Sequence, residues 1–362
     1  MKKKVAVLMS GGVDSSVAAY LLSRDFEVIG VTLKLLKCEM FKDTAKQLCC
    51  SPKDIYDAKS VASQLGIRHY VLNLTYEFKK LIIEKFCKDY MNGFTPNPCM
   101  WCNEMIKFGI TFKRLKSELS IDYLSSGHYA KIIKERNKFY ISKAKDDSKD
   151  QSYFLSRINP DVLPYLILPL GELTKLQVRQ IAKDLGLKVY EKKESFDLCF
   201  IIDGDYRSFI KSNQQFSQKG KVIEYATKRF LGYHDGHFNY TIGQRKGLKL
   251  KNSNSKYYVV EIDPTNNILY VGTEDMLYKD NLIATNCIFY EEFDKLVKSK
   301  NLYAKIRYKS DLAECSVEKI DNDKVKIIFK NPQRAITKGQ YVVVYDTKGK
   351  VLFSGEITDY SK

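Results

Sequence analysis

The chain has 362 residues, 44% of them hydrophobic, which predicts two or three folded domains rather than one core. Its 60 lysines and arginines and 43 aspartates and glutamates give a net charge of +17, which favours nucleic acid as a partner, while no strongly amphipathic basic helix indicates membrane binding. Nine irregularly spaced cysteines, and only five apolar residues before Ser10, argue against a disulfide framework, a signal sequence and a membrane span, so a cytoplasmic protein is expected.

Apolar runs alternate with helical patterns over the first 130 residues. In chain order, strands are predicted at 4–9, 28–36, 69–74 and 122–130, and the helices between them at 13–23, 52–65 and 76–90. Strands separated by helices of this length are typical of βαβ units, so we predict an α/β domain with a parallel sheet. Ligands bind such sheets beyond the carboxyl ends of the strands, where the loop at Ser10 and the Gly127-His128 turn both lie.

The pattern changes to short alternating segments after about residue 205. A helix is predicted at 174–185, and β-strands are then predicted at 220–226, 257–263, 266–272, 301–308, 324–330 and 340–346. Such sequence is typical of one or two small barrels or sandwiches. We therefore predict an N-terminal nucleotide-binding catalytic domain (1–205), a central β-rich domain (206–280) and a C-terminal β-barrel-like domain (281–362).

The stretch Ser10-Gly11-Gly12-Val13-Asp14-Ser15-Ser16 follows a predicted strand and opens a helix. Its glycines permit close backbone approach, and its amides, hydroxyls and helix N-terminus can hold an anion, so we predict a phosphate site rather than a mere tight turn. It is neither a Walker loop nor a G-x-G-x-x-G fingerprint. Asp14 would repel phosphate unless a divalent cation bridged them, which predicts Mg²⁺.

The loop resembles the pyrophosphatase loop of the PP-loop ATP-α-hydrolase superfamily, whose members adenylate a carbonyl oxygen and release pyrophosphate. Five further motifs are similar, in the same order, to signatures of the tRNA-specific 2-thiouridylases, a transferase family. They are Asn97-Pro98-x-x-x-Cys102-Asn103, Ser126-Gly127-His128-Tyr129-Ala130, Lys149-Asp150-Gln151-Ser152-Tyr153-Phe154-Leu155, Leu198-Cys199-Phe200-Ile201 and Tyr240-Thr241-Ile242-Gly243-Gln244-Arg245-Lys246-Gly247. The resemblance spans nearly the whole chain.

The resemblance implies ATP-dependent 2-thiolation of the wobble uridine of tRNA. In that family the C2 oxygen is adenylated, a persulfide on the cysteine matching Cys199 delivers sulfur, and the cysteine matching Cys102 attacks to release it, which leaves a disulfide. A sulfur-donor protein would be a partner besides tRNA. The residues agree, because a thiolate nucleophile needs an electropositive setting: Cys199 follows Lys192-Lys193, and Cys102 stands near a predicted helix start.

The resemblance also implies two sets of binding residues. The ATP-binding positions are Leu8, Met9, Ser10, Gly11, Gly12, Val13, Asp14, Ser15, Leu33 and Gly127, with the backbone of Leu33 at the adenine. The tRNA-binding positions are Asn97, Pro98, Cys99, His128, Lys149, Asp150, Gln151, Arg307, Tyr308 and Gln340. RNA recognition of this kind needs a basic, partly aromatic surface, and Trp101 is expected either to stack on the target base or to pack against the proline bend at 95–98.

Cys99 departs from the family, many members of which have aspartate here, so an acid or base role of that aspartate does not carry over. Cys99, Cys102 and Cys199 could instead hold an iron-sulfur cluster with one open iron. Zinc bound by Cys99 and Cys102, with help from Cys49-Cys50, is a further alternative, as is a small residue with no role. Cys287 and Cys315 lie in strand patterns and are expected to be inert.

Two rival functions share parts of this pattern. An argininosuccinate-synthase-like or amidotransferase-like ligase would use the same loop and the same adenylation, but would need no paired cysteines. An ATP-regulated RNA-binding protein would bind tRNA without changing its bases. The positive charge does not decide between them, since a lysine-rich proteome alone could produce it.

Overall fold

A computed structural model of the chain describes residues 2–37, 52–192, 198–201, 204–213, 219–248, 250, 256–299, 301–321 and 324–360. The chain forms two compact units. The first unit comprises residues 1–83, 98–204 and 348–351, and the second comprises residues 84–97, 205–347 and 352–362. Both units are therefore assembled from segments that are distant in sequence.

The strands in chain order, within the described residues, are β1 (Lys4–Leu8), β2 (Glu27–Lys34), β3 (Arg68–Asn73), β4 (Tyr123–Ser126), β5 (Lys131–Glu135), β6 (Lys138–Ser142), β7 (Leu166–Ile167), β8 (Gly220–Glu224), β9 (Phe230–His234), β10 (Tyr258–Asp263), β11 (Ile268–Gly272), β12 (Tyr278–Phe289), β13 (Leu302–Lys305), β14 (Ala313–Lys319), β15 (Val325–Arg334), β16 (Tyr341–Tyr345) and β17 (Val351–Asp359). The α-helices are α1 (Val13–Ser23), α2 (Pro52–Gln64), α3 (Thr75–Phe78), α4 (Glu84–Met91), α5 (Pro98–Trp101), α6 (Thr111–Leu119), α7 (Ser152–Leu155), α8 (Lys175–Asp184), α9 (Tyr206–Asn213) and α10 (Phe293–Lys298). Stretches of π-helix occupy Lys79–Ile83 and Cys102–Ile110, and 3-10 helices occupy Pro160–Tyr165, Lys188–Glu191, His237–Asn239 and Glu274–Leu277.

The first unit is built on a five-stranded parallel sheet in the order β3-β2-β1-β4-β7, which confirms the predicted α/β domain. β1 is its centre, and Val5, Ala6 and Val7 have no exposed surface. Such complete burial is expected where helices cover both faces of a parallel sheet, and it explains why the strand is an unbroken apolar run. β5 and β6 form a separate antiparallel hairpin.

The carboxyl ends of three strands of this sheet lie side by side. Leu8, the last residue of β1, pairs with Val31 of β2 on one side and with Ser126 of β4 on the other. Because parallel strands end at the same edge, the loops that follow β1 and β4 emerge next to each other. The sheet therefore positions the two motifs predicted to bind nucleotide.

The second unit contains a four-stranded sheet and a closed barrel, which confirms the predicted β-rich architecture. The sheet has the order β10-β11-β8-β9, and the barrel has the order β12-β15-β14-β13-β16-β17. The side chains of Leu282, Ile327, Val342, Phe353 and Ile357 fill the barrel and have no exposed surface. Closure pairs the edge strands, which in an open sheet would expose unpaired backbone groups.

In the part of the chain that the structure describes, no helix combines the length and apolar character that a membrane span requires.

Candidate active site

The loop between β1 and α1 is shaped by its own hydroxyl groups. The backbone amide of Ser10 donates to Ser15 Oγ at 3.2 Å, and Ser15 Oγ and Ser16 Oγ donate to the Gly12 carbonyl at 3.2 and 2.8 Å. Helix α1 begins at Val13, so its first amides face the loop. A helix N-terminus beside glycines is suited to an anion, which is the arrangement that the sequence predicts.

Two glycines bring neighbouring backbone into contact with the loop between β1 and α1, which is called the phosphate loop below. Gly11 has a φ of +69°, and a Cβ atom there would lie 2.3 Å from the Asp54 carbonyl oxygen of α2. Gly127 follows β4 and comes so close to α1 that a Cβ atom would lie 2.6 Å from the Ser15 amide nitrogen. Since close-packed interiors leave no room for such an atom, both positions require glycine. The turn after β4 therefore packs directly against the phosphate loop.

Asp14, the acidic residue of the loop, is neutralised within the chain. Lys175 Nζ, on a side chain that is 10% exposed, donates to both carboxylate oxygens at 2.7 and 2.8 Å. The Tyr129 hydroxyl donates to Oδ1 at 2.8 Å. The prediction of Mg²⁺ rested on repulsion between Asp14 and phosphate, and Lys175 relieves that repulsion. Mg²⁺ therefore stays a prediction, and the carboxylate of Asp14 no longer supports it.

The predicted adenine side lies at the carboxyl ends of β1 and β2. Leu8, Met9 and Leu33 are 8, 2 and 6% exposed, so their side chains belong to the core and their backbone is what can meet a nucleotide. Sequence reasoning missed a polar pair below them: Thr32 Oγ1 donates to the Met9 carbonyl at 2.7 Å and lies 2.8 Å from His69 Nε2. Burial lowers the pKa of His69, which favours the neutral ring.

The predicted catalytic cysteines lie in different settings. Cys102 is 7% exposed and begins the π-helical stretch Cys102–Ile110, whereas Cys199 is half-buried. Cys99 is exposed on α5. Trp101 is only 2% exposed, so of its two expected roles the structure supports packing rather than stacking on a base.

Neither metal alternative is assembled by the described residues. Among them, and they include Cys99, Cys102 and Cys199, no three His, Cys, Asp or Glu side chains are gathered closely enough to hold a metal ion. These three cysteines thus do not fit an iron-sulfur cluster as they stand, and Cys99 with Cys102 gains no third zinc ligand from the described residues. Cys49 and Cys50 lie outside the described residues.

A buried ion pair supports the helix that carries Cys102. The Arg157 guanidinium, 1% exposed, donates through Nε and Nη2 to the two carboxylate oxygens of Glu104 at 3.0 Å each. Asn103 Nδ2 donates to the Phe154 carbonyl at 3.0 Å. A Cβ atom at Gly109 would lie 2.7 Å from the Glu104 carbonyl oxygen, so the π-helical turn depends on glycine here. Cys102 is therefore presented by a rigid element rather than by a loop.

His128 is held as a neutral ring beside the phosphate loop. Its Nδ1 lies 2.7 Å from Ser126 Oγ, and its ring packs against Phe108 with the centroids 5.8 Å apart. Burial, and secondarily the charge of Lys107, lower the pKa of His128 well below its ordinary value. The ring is therefore uncharged at neutral pH, and a contact with tRNA would use a hydrogen bond rather than a positive charge.

The predicted tRNA-binding triplet 149–151 turns two of its side chains inward. Asp150 is 5% exposed, and its carboxylate accepts hydrogen bonds from the amides of Ala144 and Ser152 at 3.0 and 3.1 Å and from Ser152 Oγ at 2.8 Å. Gln151 Oε1 accepts from the Tyr129 amide at 2.9 Å. Both side chains therefore brace the loop, and a contact of Lys149 with RNA stays a prediction.

In the second unit, the predicted RNA contacts Arg307 and Tyr308 follow β13. Arg307 Nη1 donates to the carbonyls of Arg334 and Ala335 at 3.2 and 3.3 Å, and the side chains of Arg307 and Tyr308 are half-buried. One edge of the guanidinium therefore fixes the start of the next turn. A contact of its other edge with RNA stays a prediction.

Gln340, also predicted to contact tRNA, braces the segment that leads to Asn97. Its Nε2 donates to the Thr95 carbonyl at 2.8 Å and to the Pro96 carbonyl at 3.4 Å, while the Thr95 amide donates to the Lys338 carbonyl at 2.9 Å. The proline bend is thus docked on the turn before β16. Sequence patterns carry no signal for a bond between residues 245 positions apart.

Three family models match the chain in succession. They are described as a tRNA methyl transferase HUP domain over residues 3–203, a tRNA methyl transferase PRC-barrel domain over residues 207–273, and an aminomethyltransferase beta-barrel domain over residues 279–357. The first model alone covers more than half of the chain and includes the phosphate loop, Cys102 and Cys199.

Curated proteins resemble the chain over its full length. A tRNA-specific 2-thiouridylase MnmA of Clostridium acetobutylicum is 42% identical over 359 residues, which is 99% of this chain and 99% of that protein. A tRNA-specific 2-thiouridylase MnmA 1 of Caldanaerobacter subterraneus subsp. tengcongensis is 44% identical over 99% of this chain and 98% of its own. A tRNA-specific 2-thiouridylase MnmA of Petrotoga mobilis is 42% identical over 98% of this chain and 97% of that protein.

The burial of individual thiols predicts their order of alkylation. Burial, and then the neighbouring Glu84 and Glu314, raise the pKa of Cys87 to about 11 and that of Cys315 to about 12. The thiolate is the reactive form, so near neutral pH iodoacetamide should label exposed Cys99 first and these two cysteines last. Their labelling should accelerate as the pH rises towards those values, as read by peptide mass spectrometry. Labelling of Cys315 as fast as that of Cys99 would contradict this order.

The close approach of Gly127 to α1 predicts a selective loss of nucleotide binding. Gly127→Ala should force the turn and the loop apart and weaken ATP binding at least about tenfold, or about 1.4 kcal/mol, by calorimetry. Gly66→Ala is the control, because nothing lies within 4 Å of a Cβ atom there and only its φ of +66° adds strain. That control should lose about 1–2 kcal/mol of stability and keep its affinity. Equal losses of affinity in both variants would refute the assignment.

Proposed function

The chain belongs to the tRNA-specific 2-thiouridylase family, and we propose that it replaces the C2 oxygen of the wobble uridine of tRNA by sulfur in an ATP-dependent reaction. One observation carries the proposal beyond family membership. A single compact unit holds a phosphate loop and two cysteines on separate segments, Cys102 and Cys199. A nucleotide to activate the oxygen and two thiols to deliver sulfur are what such an exchange requires.

The first step we propose is activation of the uridine. The C2 oxygen attacks the α-phosphorus of ATP, the bond to the β,γ-phosphates breaks, and pyrophosphate leaves. The α1 amides and the loop hydroxyls would hold the phosphates, since donors aimed at developing negative charge stabilise such a transition state. The Lys175 ion pair supports this role, because it removes the charge of Asp14 that would otherwise oppose the nucleotide.

The second step we propose is sulfur transfer. The terminal sulfur of a persulfide on Cys199 attacks C2, and AMP leaves with the former C2 oxygen. The Cys102 thiolate then attacks Cys199 Sγ, the S–S bond breaks, and the transferred sulfur stays on the base. Cys102 and Cys199 end as a disulfide, so each turnover needs a thiol reductant and a new persulfide from a sulfur-donor protein.

The setting of Cys102 supports its role as the cysteine that is held in place. Cys102 is presented by a helix that the Glu104–Arg157 pair holds, whereas Cys199 lies on a half-buried segment between helices. Placing Cys102 on a rigid element would let it act on whichever sulfur is brought to it. The cluster alternative receives less support, because Cys99, Cys102 and Cys199 are not gathered.

We also propose that the three predicted domains divide this work. The domain 1–205 would bind ATP and carry both catalytic cysteines, and the domains 206–280 and 281–362 would help to hold tRNA. Lys149, His128 and Arg307 are the proposed contacts, whereas Asp150, Gln151 and Gln340 would act on RNA by bracing the segments around them.

The reaction itself is tested by product analysis. Protein purified without oxygen, unmodified tRNA, Mg²⁺, a persulfide donor and ATP should give 2-thiouridine, and omission of ATP should abolish it. Mass spectrometry of digested tRNA separates 2-thiouridine from a methylated base. A methylated base would be the product of a tRNA methyl transferase, the activity named in two of the matching domain descriptions. Cys102→Ser and Cys199→Ser should each lose the product while ATP binding survives. Substantial thiolation by either variant would remove the persulfide route, and activity in Cys199→Ser with a small amine acceptor would favour a ligase.

The proposed RNA surface is tested by the salt dependence of tRNA binding. Lys149→Met should remove one phosphate contact, lower affinity and reduce the slope of log K against log salt by about one. Lys183→Met, which removes the same charge from an exposed position on α8, is the matched control and should keep the slope. An identical slope in wild type and Lys149→Met would place the RNA elsewhere.

A further inference from the structure

Lys192 is a buried ammonium group that touches the outer side of the phosphate loop. Its Nζ donates to the Gly11 carbonyl at 3.0 Å, to Asp54 Oδ1 at 2.6 Å and to Asp57 Oδ2 at 2.8 Å. The side chains of Lys192, Asp54 and Asp57 are 12, 5 and 20% exposed. A lysine rarely gives up its hydration to this extent, and here three acceptors replace it.

The contacts favour the charged form of Lys192. Burial by itself lowers its pKa, but the hydrogen bonds and charges of Asp54 and Asp57 outweigh that effect, so the pKa is raised. The ammonium therefore persists through the physiological range. Removing the ammonium would leave the carboxylates of Asp54 and Asp57 close together without their shared cation. A variant that lacks this charge should therefore lose stability.

Lys192 joins the phosphate loop to helix α2. A Cβ atom at Gly11 would lie 2.3 Å from the Asp54 carbonyl, so the loop and the first turn of α2 are already in contact. Lys192 binds the Gly11 carbonyl on the loop and the Asp54 carboxylate on the helix. Lys192 is therefore in direct contact with both the loop and the helix.

Lys192 also begins the segment that carries Cys199. It follows the 3-10 helix Lys188–Glu191, in which Val189 is 6% exposed and belongs to the core of the first unit. Cys199 lies seven residues further on, and seven residues reach at most about 25 Å when fully extended. Lys192 is thus the last described residue on the amino-terminal side of the Cys199 stretch, and it is held against the phosphate loop.

We propose that Lys192 is a positioning residue that ties the delivery of sulfur from Cys199 to the phosphate loop. This rests on the proposed thiolation, in which the adenylated uridine must meet the Cys199 persulfide before water reaches it. With Lys192 in place, the loop that holds the nucleotide and the segment that carries the sulfur share one anchor. Without it, adenylation continues but sulfur arrives less often.

The test is the ratio of AMP released to 2-thiouridine formed, at saturating ATP and tRNA. Wild type should give a ratio near unity. Lys192→Met should raise it several-fold, because the activated uridine is hydrolysed while it waits for sulfur. Lys192→Arg keeps the charge and should restore much of the coupling. Lys188→Met removes the same charge from an exposed position four residues earlier and should leave the ratio unchanged.

The ratio separates positioning from a merely structural role, since partial unfolding lowers both products together. If Lys192→Met does not fold, Asp57→Asn carries the test, because it removes one partner, keeps Asp54 and should give an intermediate ratio. An unchanged ratio in the folded variants would overturn the role of Lys192 while leaving thiolation intact. A wild-type protein that makes AMP but no 2-thiouridine would overturn the proposed function, and the role of Lys192 with it.

Discussion

A loop that binds phosphate cannot easily contain a carboxylate, and the ion pair between Asp14 and Lys175 is what resolves this conflict. The two residues are 161 positions apart, and both carboxylate oxygens receive the same ammonium group. The pair joins the first turn of α1 to the first residue of α8, and Tyr129, beyond β4, donates to it as well. The phosphate loop, α8 and the turn after β4 are therefore held around a single charge.

Neighbouring backbone also packs closely against the phosphate loop. Gly11 and Gly127 admit no side chain, so the loop is enclosed by the start of α2 and the end of β4. The amides of the first turn of α1 face this enclosed loop, and donors of this kind suit a polyphosphate better than a neutral ligand. Lys192 contacts the same loop through the Gly11 carbonyl.

The sequence predicts the local parts of this arrangement and misses the distant ones. The central strand, the loop and the helix α1 were predicted within one residue at each end, because period and glycine position are local signals. Lys175, Tyr129, Lys192 and the Thr32–His69 pair carry no such signal, since each acts on a residue far along the chain. The burial of Asp150 was missed for the same reason: a polar residue in a loop is exposed only if nothing folds over it. The argument for Mg²⁺ considered Asp14 without the lysine that neutralises it.

The central claim is that the phosphate loop activates an oxygen of the base. The most direct measurement uses tRNA whose target uridine carries a heavy-oxygen label at C2, incubated with the protein, ATP and a persulfide donor. Adenylation followed by sulfur attack predicts that the label appears in the phosphate of AMP, in step with 2-thiouridine. Formation of 2-thiouridine with the label in water and unlabelled AMP would contradict activation by adenylation, whatever role the cysteines play.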